Sequence, residues 1–253
     1  KKPKQSYRFH QQAGFGGGGV VMRIMGHRGA GGLAMENTEK SLQKALELGV
    51  DSVEIDIRKT KDNQLVLCHD DNLMRTASNP AKVKDLSLKQ IKTIKLSDGS
   101  AILSLDEALE VLGQMPVVIE LKDSGCARIL LQTIKNHPRS HPSVASFMLS
   151  ELALIREMDK DIPLYGLEQT KPFDILHLAK IFKLSGIGLN YWLLNPLTYF
   201  RGKHSKLDIY VYTVNHRYTF WFIKIFYPGV TVCTNFPDRF ISRRKKKKLS
   251  LPT

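Results

Sequence analysis

The chain has 253 residues, 42% hydrophobic and 25% charged, with a formal net charge of +14. That apolar content excludes a disordered chain, and the length suits one large core, since α/β barrels reach about 250 residues as a single domain. Residues 1–13 hold Lys1, Lys2, Lys4 and Arg8, and residues 241–253 hold Arg243, Arg244 and Lys245 to Lys248, with no acid in either, so only +4 remains for residues 14–240 and a specific nucleic-acid partner is not expected.

Residues 1–19 read as a flexible basic and Gly-rich leader. Gly14, Gly16 and Gly19 fit Gly-x-Gly-x-x-Gly, but Gln-Gln-Ala precedes them where a nucleotide loop needs a strand. From residue 20, strand-like and helix-like segments alternate. Strands are predicted at 20–25, 50–57, 117–121, 145–149, 162–167, 186–189, 209–214 and 230–233. Helices are predicted at 38–48, with Asn37 or Thr38 as cap and Gly49 as stop, and at 104–112, 151–158, 172–182 and 217–226. Repeated βα units imply a parallel sheet, and eight strands favour a closed (β/α)8 TIM barrel over an open doubly wound sheet.

The single domain is expected over 20–240. One interval, about 58–103, is too long for a βα loop and has its own strand signal at 64–68 and helix signal at 87–94. It reads as a small inserted subdomain, and because it follows a strand it should wall the catalytic end of the barrel.

The polybasic tail at 241–253 reads first as a solvated segment. A nuclear-localisation signal is one alternative; peripheral contact with an anionic membrane is another, at about 1 kcal/mol per basic residue. Cys68, Cys126 and Cys233 are widely spaced and form no Cys-x-x-Cys pair, which fits a reducing, cytoplasmic compartment. No run approaches the roughly 18 apolar residues of a membrane span; the nearest, 218–232, is broken by Lys224 and Pro228.

The chemistry concentrates at strand ends. Glu54 and Asp56 lie two apart in Val53-Glu54-Ile55-Asp56-Ile57, so they share one strand face while the apolar residues take the other. Two neighbouring buried carboxylates need a cation, a shared proton or a basic partner, and a hard divalent metal with oxygen ligands is the simplest answer. Glu120 and Lys122 repeat the spacing on the next strand, offering a third carboxylate and a cation for an anionic substrate. His27 and Arg28 lie between glycines at the end of the first strand, and His69 ends Val66-Leu67-Cys68. His137 and His141, four apart, make a weak metal pair because Pro138 and Pro142 disfavour a helix. Tyr191-Trp192-Leu193-Leu194 and Tyr199-Phe200 read mainly as packing residues, with contact to a lipid acyl chain as the alternative.

These residues resemble the glycerophosphodiester phosphodiesterase family, from about residue 25 to 237. The resemblance rests on His27-Arg28-Gly29, Glu36-Asn37-Thr38, Glu54-Ile55-Asp56, His69-Asp70 followed by Leu73 and Arg75-Thr76, Glu120-Leu121-Lys122, and Tyr212-Thr213-Val214-Asn215. It implies a (β/α)8 barrel that cleaves glycerophosphodiesters to sn-glycerol 3-phosphate and an alcohol. It further implies His27 and His69 as the acid–base pair, Glu54, Asp56 and Glu120 as ligands of Mg²⁺ or Ca²⁺, and Arg28 and Lys122 as the phosphate grip. Attack on phosphorus by a glycerol hydroxyl, through a cyclic phosphate, and direct attack by water both remain open.

Two positions depart from the family pattern. Tyr212 stands where tryptophan is common, keeping an aromatic substrate wall, and Asn235 stands where an aspartate is common, removing a carboxylate. A lysophospholipase D-like lipid phosphodiesterase is the nearest alternative function; a non-catalytic phosphate- or membrane-binding barrel is the alternative from another class.

Overall fold

A computed structural model describes residues 22–241, so the leader, its glycine motif and the polybasic tail lie outside the described residues. Eight parallel strands close a barrel: β1 (Arg23–Gly26), β2 (Ser52–Lys59), β6 (Pro116–Leu121), β7 (His141–Ser146), β8 (Leu164–Glu168), β9 (Gly186–Asn190), β10 (Asp208–Tyr212) and β11 (Thr231–Thr234). Each pairs with the next in chain order, and closure comes from β1 pairing with both β11 and β2. The helices α1 (Glu39–Leu48), α4 (Leu105–Leu112), α5 (Ala127–Asn136), α6 (Leu149–Met158), α7 (Pro172–Ile181), α8 (Pro196–His204) and α9 (Arg217–Phe226) follow successive strands around the outside.

Period-two alternation sorts the side chains of each strand. Val53, Ile55 and Ile57 of β2 join the main apolar cluster between sheet and helices, as do Val117, Ile119 and Leu121 of β6. The opposite faces point into the barrel, where a second cluster holds Met25, Val118, Tyr165, Leu167 and Tyr210. Gly186 and Gly188 of β9 make room for the two tyrosine rings. A Cβ at Gly188 would lie 2.4 Å from the Tyr210 ring, and one at Gly186 2.4 Å from the Tyr165 ring.

Thr38, not Asn37, caps α1: its hydroxyl accepts from the Ser41 amide, and Ser41 reciprocates, a device worth about 1 kcal/mol. Gly49 ends the helix at φ 70, a conformation that costs other residues energy. The predicted strand at 145–149 is displaced. β7 stops at Ser146, whose hydroxyl donates to the Leu121 carbonyl and accepts from the Met148 amide, so the end of that apolar run starts α6.

Between β2 and α4 the chain builds β3 (Leu65–Leu67), β4 (Asn72–Leu73), α2 (Met74–Ala77), β5 (Asn79–Lys82) and α3 (Leu88–Thr93). They surround a separate apolar cluster of Val66, Cys68, Leu73, Val83 and Ile91. β3 pairs antiparallel with the C-terminal end of β2, Ile57 opposite Leu67, which brings the insertion to the barrel rim. No helix of the described residues is long and apolar enough to cross a membrane.

Candidate active site

Asp56 lies opposite Glu120 in the β2–β6 register, and Glu54 precedes Asp56 on the same inward face. One carboxylate oxygen from each of Glu54, Asp56 and Glu120 falls within 4.8 Å of the others, and all three residues are buried. The sequence-predicted acids therefore converge. The donor set is all oxygen and anionic, which suits a hard divalent cation.

Its electrostatics are only partly compensated. Asp56 meets Arg28 Nε at 3.1 Å through Oδ2 and Lys122 Nζ at 3.1 Å through Oδ1, while Lys122 also contacts Glu120 Oε1 at 2.5 Å. Burial acts to raise the Asp56 pKa, yet Lys122 and Arg28 outweigh it and hold the carboxyl below its ordinary value. Glu54 is served worse: Oε2 accepts from the Arg28 amide at 2.9 Å, but Oε1 is buried with no hydrogen-bond partner. Burial, then repulsion from Asp56 and Glu120, pushes Glu54 well above the usual carboxylate range. Burial and Asp56 push Glu120 up to about 7. An orphaned buried carboxylate oxygen beside two further acids is where a bound cation would remove an unfavourable desolvation.

His27 follows β1 and is nearly enclosed, with Nε2 3.8 Å from Glu54 Oε2. Its Nδ1 lies 2.6 Å from Asn235 Oδ1, so Nδ1 donates to the amide oxygen and Nε2 carries the free lone pair. Asn235 is itself braced, because its amide and the Thr234 hydroxyl both donate to Asn215 Oδ1. Burial, followed by the Arg28 charge, lowers the His27 pKa to about 4.

His69 follows β3 and is more open. Its Nδ1 contacts Asp70 Oδ1 at 2.6 Å, and Arg58 Nε donates to its carbonyl at 3.0 Å. Burial lowers its pKa, against the raising influence of Asp56 and Asp70. Asp70 also takes Arg75 Nε at 2.7 Å, Arg75 grips Glu36 with two nitrogens, and Glu36 holds Arg28 Nη1 at 2.8 Å. One continuous ionic chain thus links the His69 side of the rim to the acid cluster.

Tyr212 ends β10, its ring centroid 6.1 Å from that of Tyr210 and its hydroxyl donating to the Glu168 carbonyl at 3.1 Å. It stands at the rim, at the C-terminal end of its strand.

Three further placements refine the sequence reading, and the last of them departs from it. Asn37 does not cap α1; its Nδ2 donates to Asp56 Oδ2 at 2.9 Å and its Oδ1 accepts from the Asp56 amide at 3.2 Å, so it fixes a cluster member. Sequence placed Glu36 and Arg75 in motifs without roles and gave Asn37 only as a cap candidate, so motif membership was the one available signal for these contacts. His137 and His141 do not converge on a metal: His137 lies 2.9 Å from Asp106, and His141 opens β7 in an exposed position. Trp192 and Phe200 are not packing residues, being 78% and 65% exposed.

A closed parallel barrel with flanking helices, carrying acids and imidazoles at the C-terminal ends of its strands, is a TIM barrel with the layout of an enzyme. The model of the Glycerophosphoryl diester phosphodiesterase family matches residues 27–239, and the chain belongs to that family of phosphoric diester hydrolases. It is 27% identical to a glycerophosphodiester phosphodiesterase of Bacillus subtilis, over 87% of this chain and 85% of that protein. It is 29% identical to a lysophospholipase D of Rattus norvegicus, over 57% of this chain and 51% of that protein. Among solved structures, an Oleispira antarctica phosphodiesterase in complex with the product sn-glycerol-3-phosphate superposes with a TM-score of 0.82 at 21% identity, covering 90% of this chain and 97% of that one.

Proposed function

We propose that the chain hydrolyses glycerophosphodiesters to sn-glycerol 3-phosphate and an alcohol, using a divalent cation and the His27–His69 pair. The observation that carries this reading is the buried cluster of Glu54, Asp56 and Glu120, with its partnerless Glu54 Oε1 and with His27 Nε2 3.8 Å from Glu54 Oε2. Glu54, Asp56 and Glu120 would hold the ion, Mg²⁺ or Ca²⁺; when bound it supplies charge neutralisation at phosphate and makes a nearby hydroxyl more acidic. Arg28 and Lys122 add positive charge for the phosphodiester, each already oriented by Asp56.

Cleavage forms a bond from a hydroxyl oxygen to phosphorus and breaks the bond from phosphorus to the alcohol oxygen. One imidazole takes the attacking hydroxyl's proton and the other gives a proton to the departing alkoxide. The nucleophile is the substrate's glycerol hydroxyl, through a cyclic phosphate that water then opens, or water itself. Tyr212 walls the substrate at the rim.

Incubation with glycerophosphocholine should release sn-glycerol 3-phosphate, stop with EDTA and resume on adding Mg²⁺ or Ca²⁺. Full turnover in chelator would remove the cation from the mechanism. A second reading, lysophospholipase D activity at the same site, is favoured by Trp192, exposed just beyond β9, and by the likeness to the rat protein. Turnover of lysophosphatidylcholine with none of glycerophosphocholine would select it.

A further inference from the structure

The outer wall formed by α7, α8 and α9 differs from an ordinary barrel surface. On α9 only Phe220 and Ile223 are buried, while Tyr218, Trp221, Ile225 and Phe226 are exposed, Tyr218 at 91% and Ile225 at 66%. Apolar side chains around most of a helix belong inside a protein or against another apolar phase. Two clefts open on this wall. One of about 800 Å³ lies between α7 and α8 beside Phe173 and Phe200, and one of about 440 Å³ lies between Trp192 and Phe222.

Charge narrows what can cover the wall. Over residues 172–226, which span α7 to α9, the acids are Asp174, in the first turn of α7, and Asp208, at the start of β10 and paired with Arg23, against seven lysines and arginines. Lys224 lies 4.4 Å from the centroid of the Trp221 ring, and Arg201 lies 5.8 Å from that of Phe173. A second copy docking by a two-fold axis would set these cations against themselves. Aromatic side chains mixed with cations match instead the interfacial layer of an anionic bilayer.

Placement supports the same occupant. Both tryptophans of the chain, Trp192 and Trp221, lie on this wall. Trp192 follows β9 and Tyr218 lies in the first turn of α9, so the patch reaches the rim where the barrel opens. Phe240 stacks on Phe220 of α9 at 4.4 Å, and the described chain ends at Ile241, two positions before the run from Arg243 to Lys248 in the sequence.

We propose that the α7–α9 wall is a membrane-docking surface that inserts Trp192, Trp221 and neighbouring aromatic and aliphatic side chains into the interface of an anionic bilayer, holding the barrel mouth at its edge. The tail adds long-range attraction, and the wall supplies the buried contact. Docking does not depend on the reaction proposed above, so loss of hydrolysis with binding retained would count against that reaction alone.

The full chain is mixed with phosphatidylcholine vesicles, with and without phosphatidylserine, bearing brominated acyl chains. Since both tryptophans lie on the wall, their emission reports it alone. Binding to the anionic vesicles, a blue shift and bromine quenching are expected. The double variant Ile225→Ser, Phe226→Ser should weaken vesicle binding about a hundredfold while leaving glycerophosphocholine hydrolysis unchanged. Replacing Arg243 to Lys248 by serine should reduce affinity but leave quenching at saturating lipid. Binding without quenching would assign attachment to the tail and overturn the proposal. Absence of binding to anionic vesicles would overturn it too, and sedimentation showing a dimer abolished by the double variant would then give the wall to self-association.

Discussion

The two sides of the barrel are built on opposite principles. Around β1, β2 and β6, charged side chains are buried and tied to one another: Asp56 alone contacts Arg28, Lys122 and Asn37. Around α8 and α9, large apolar side chains are exposed and acids are missing. The first side places polar groups where burial is costly, which is tolerable only if each has a partner or a ligand. The second leaves apolar surface in water, which is unfavourable until another apolar phase covers it. Each side suits a partner of different chemistry: the acid cluster could hold a cation, and the apolar wall matches the lipid interface proposed for it.

The contrast can be broken most forcefully at the histidines. His27→Ala or His69→Ala should lower kcat/KM by roughly 10²–10⁴, with the melting temperature little changed. Steady-state kinetics on glycerophosphocholine check this, and near-normal turnover in both variants would sink the acid–base pair.

Next comes the support of the acid cluster. Asn37→Ala should weaken cation affinity by about 10–100-fold by releasing Asp56. In the native chain the same affinity should rise as pH rises through about 7, because Glu120 is raised to that value and Glu54 is raised as well, so a cation must displace protons below it. Calorimetric titration in buffers of different ionisation enthalpy would read both the affinity and the proton release. Affinity flat between pH 5 and pH 8, two round figures spanning the ordinary titration range of about 5 to 8, would contradict the protonated state of the cluster.

The barrel interior gives a smaller effect, on stability. Gly188→Ala drives a Cβ to 2.4 Å from the Tyr210 ring and should cost about 1–3 kcal/mol, seen as a lower urea midpoint. The smallest effect belongs to the outer wall. Ile225→Ser removes an exposed side chain and should shift stability in lipid-free buffer by no more than about 0.5 kcal/mol; a larger loss would mean that the residue packs within the fold.

Sequence by itself determined the barrel, the insertion and the constellation. Alternation in Val53-Glu54-Ile55-Asp56-Ile57 separates an apolar face from an acidic one whatever the strand's neighbours, and repeated βα punctuation leaves few topologies for a parallel sheet. His27, Glu54, Asp56, His69, Glu120 and Lys122 were all legible because each ends or interrupts an apolar run. What only tertiary structure decided is which polar groups meet across strands. Asn37 reaches Asp56, Asn235 turns His27, and Glu36 with Arg75 joins the two halves of the rim, contacts set by barrel closure rather than by local spacing. The same holds for Trp192 and the α9 aromatics. Hydrophobicity marks a residue as wanting burial, but only the packed structure shows whether anything in the protein covers it.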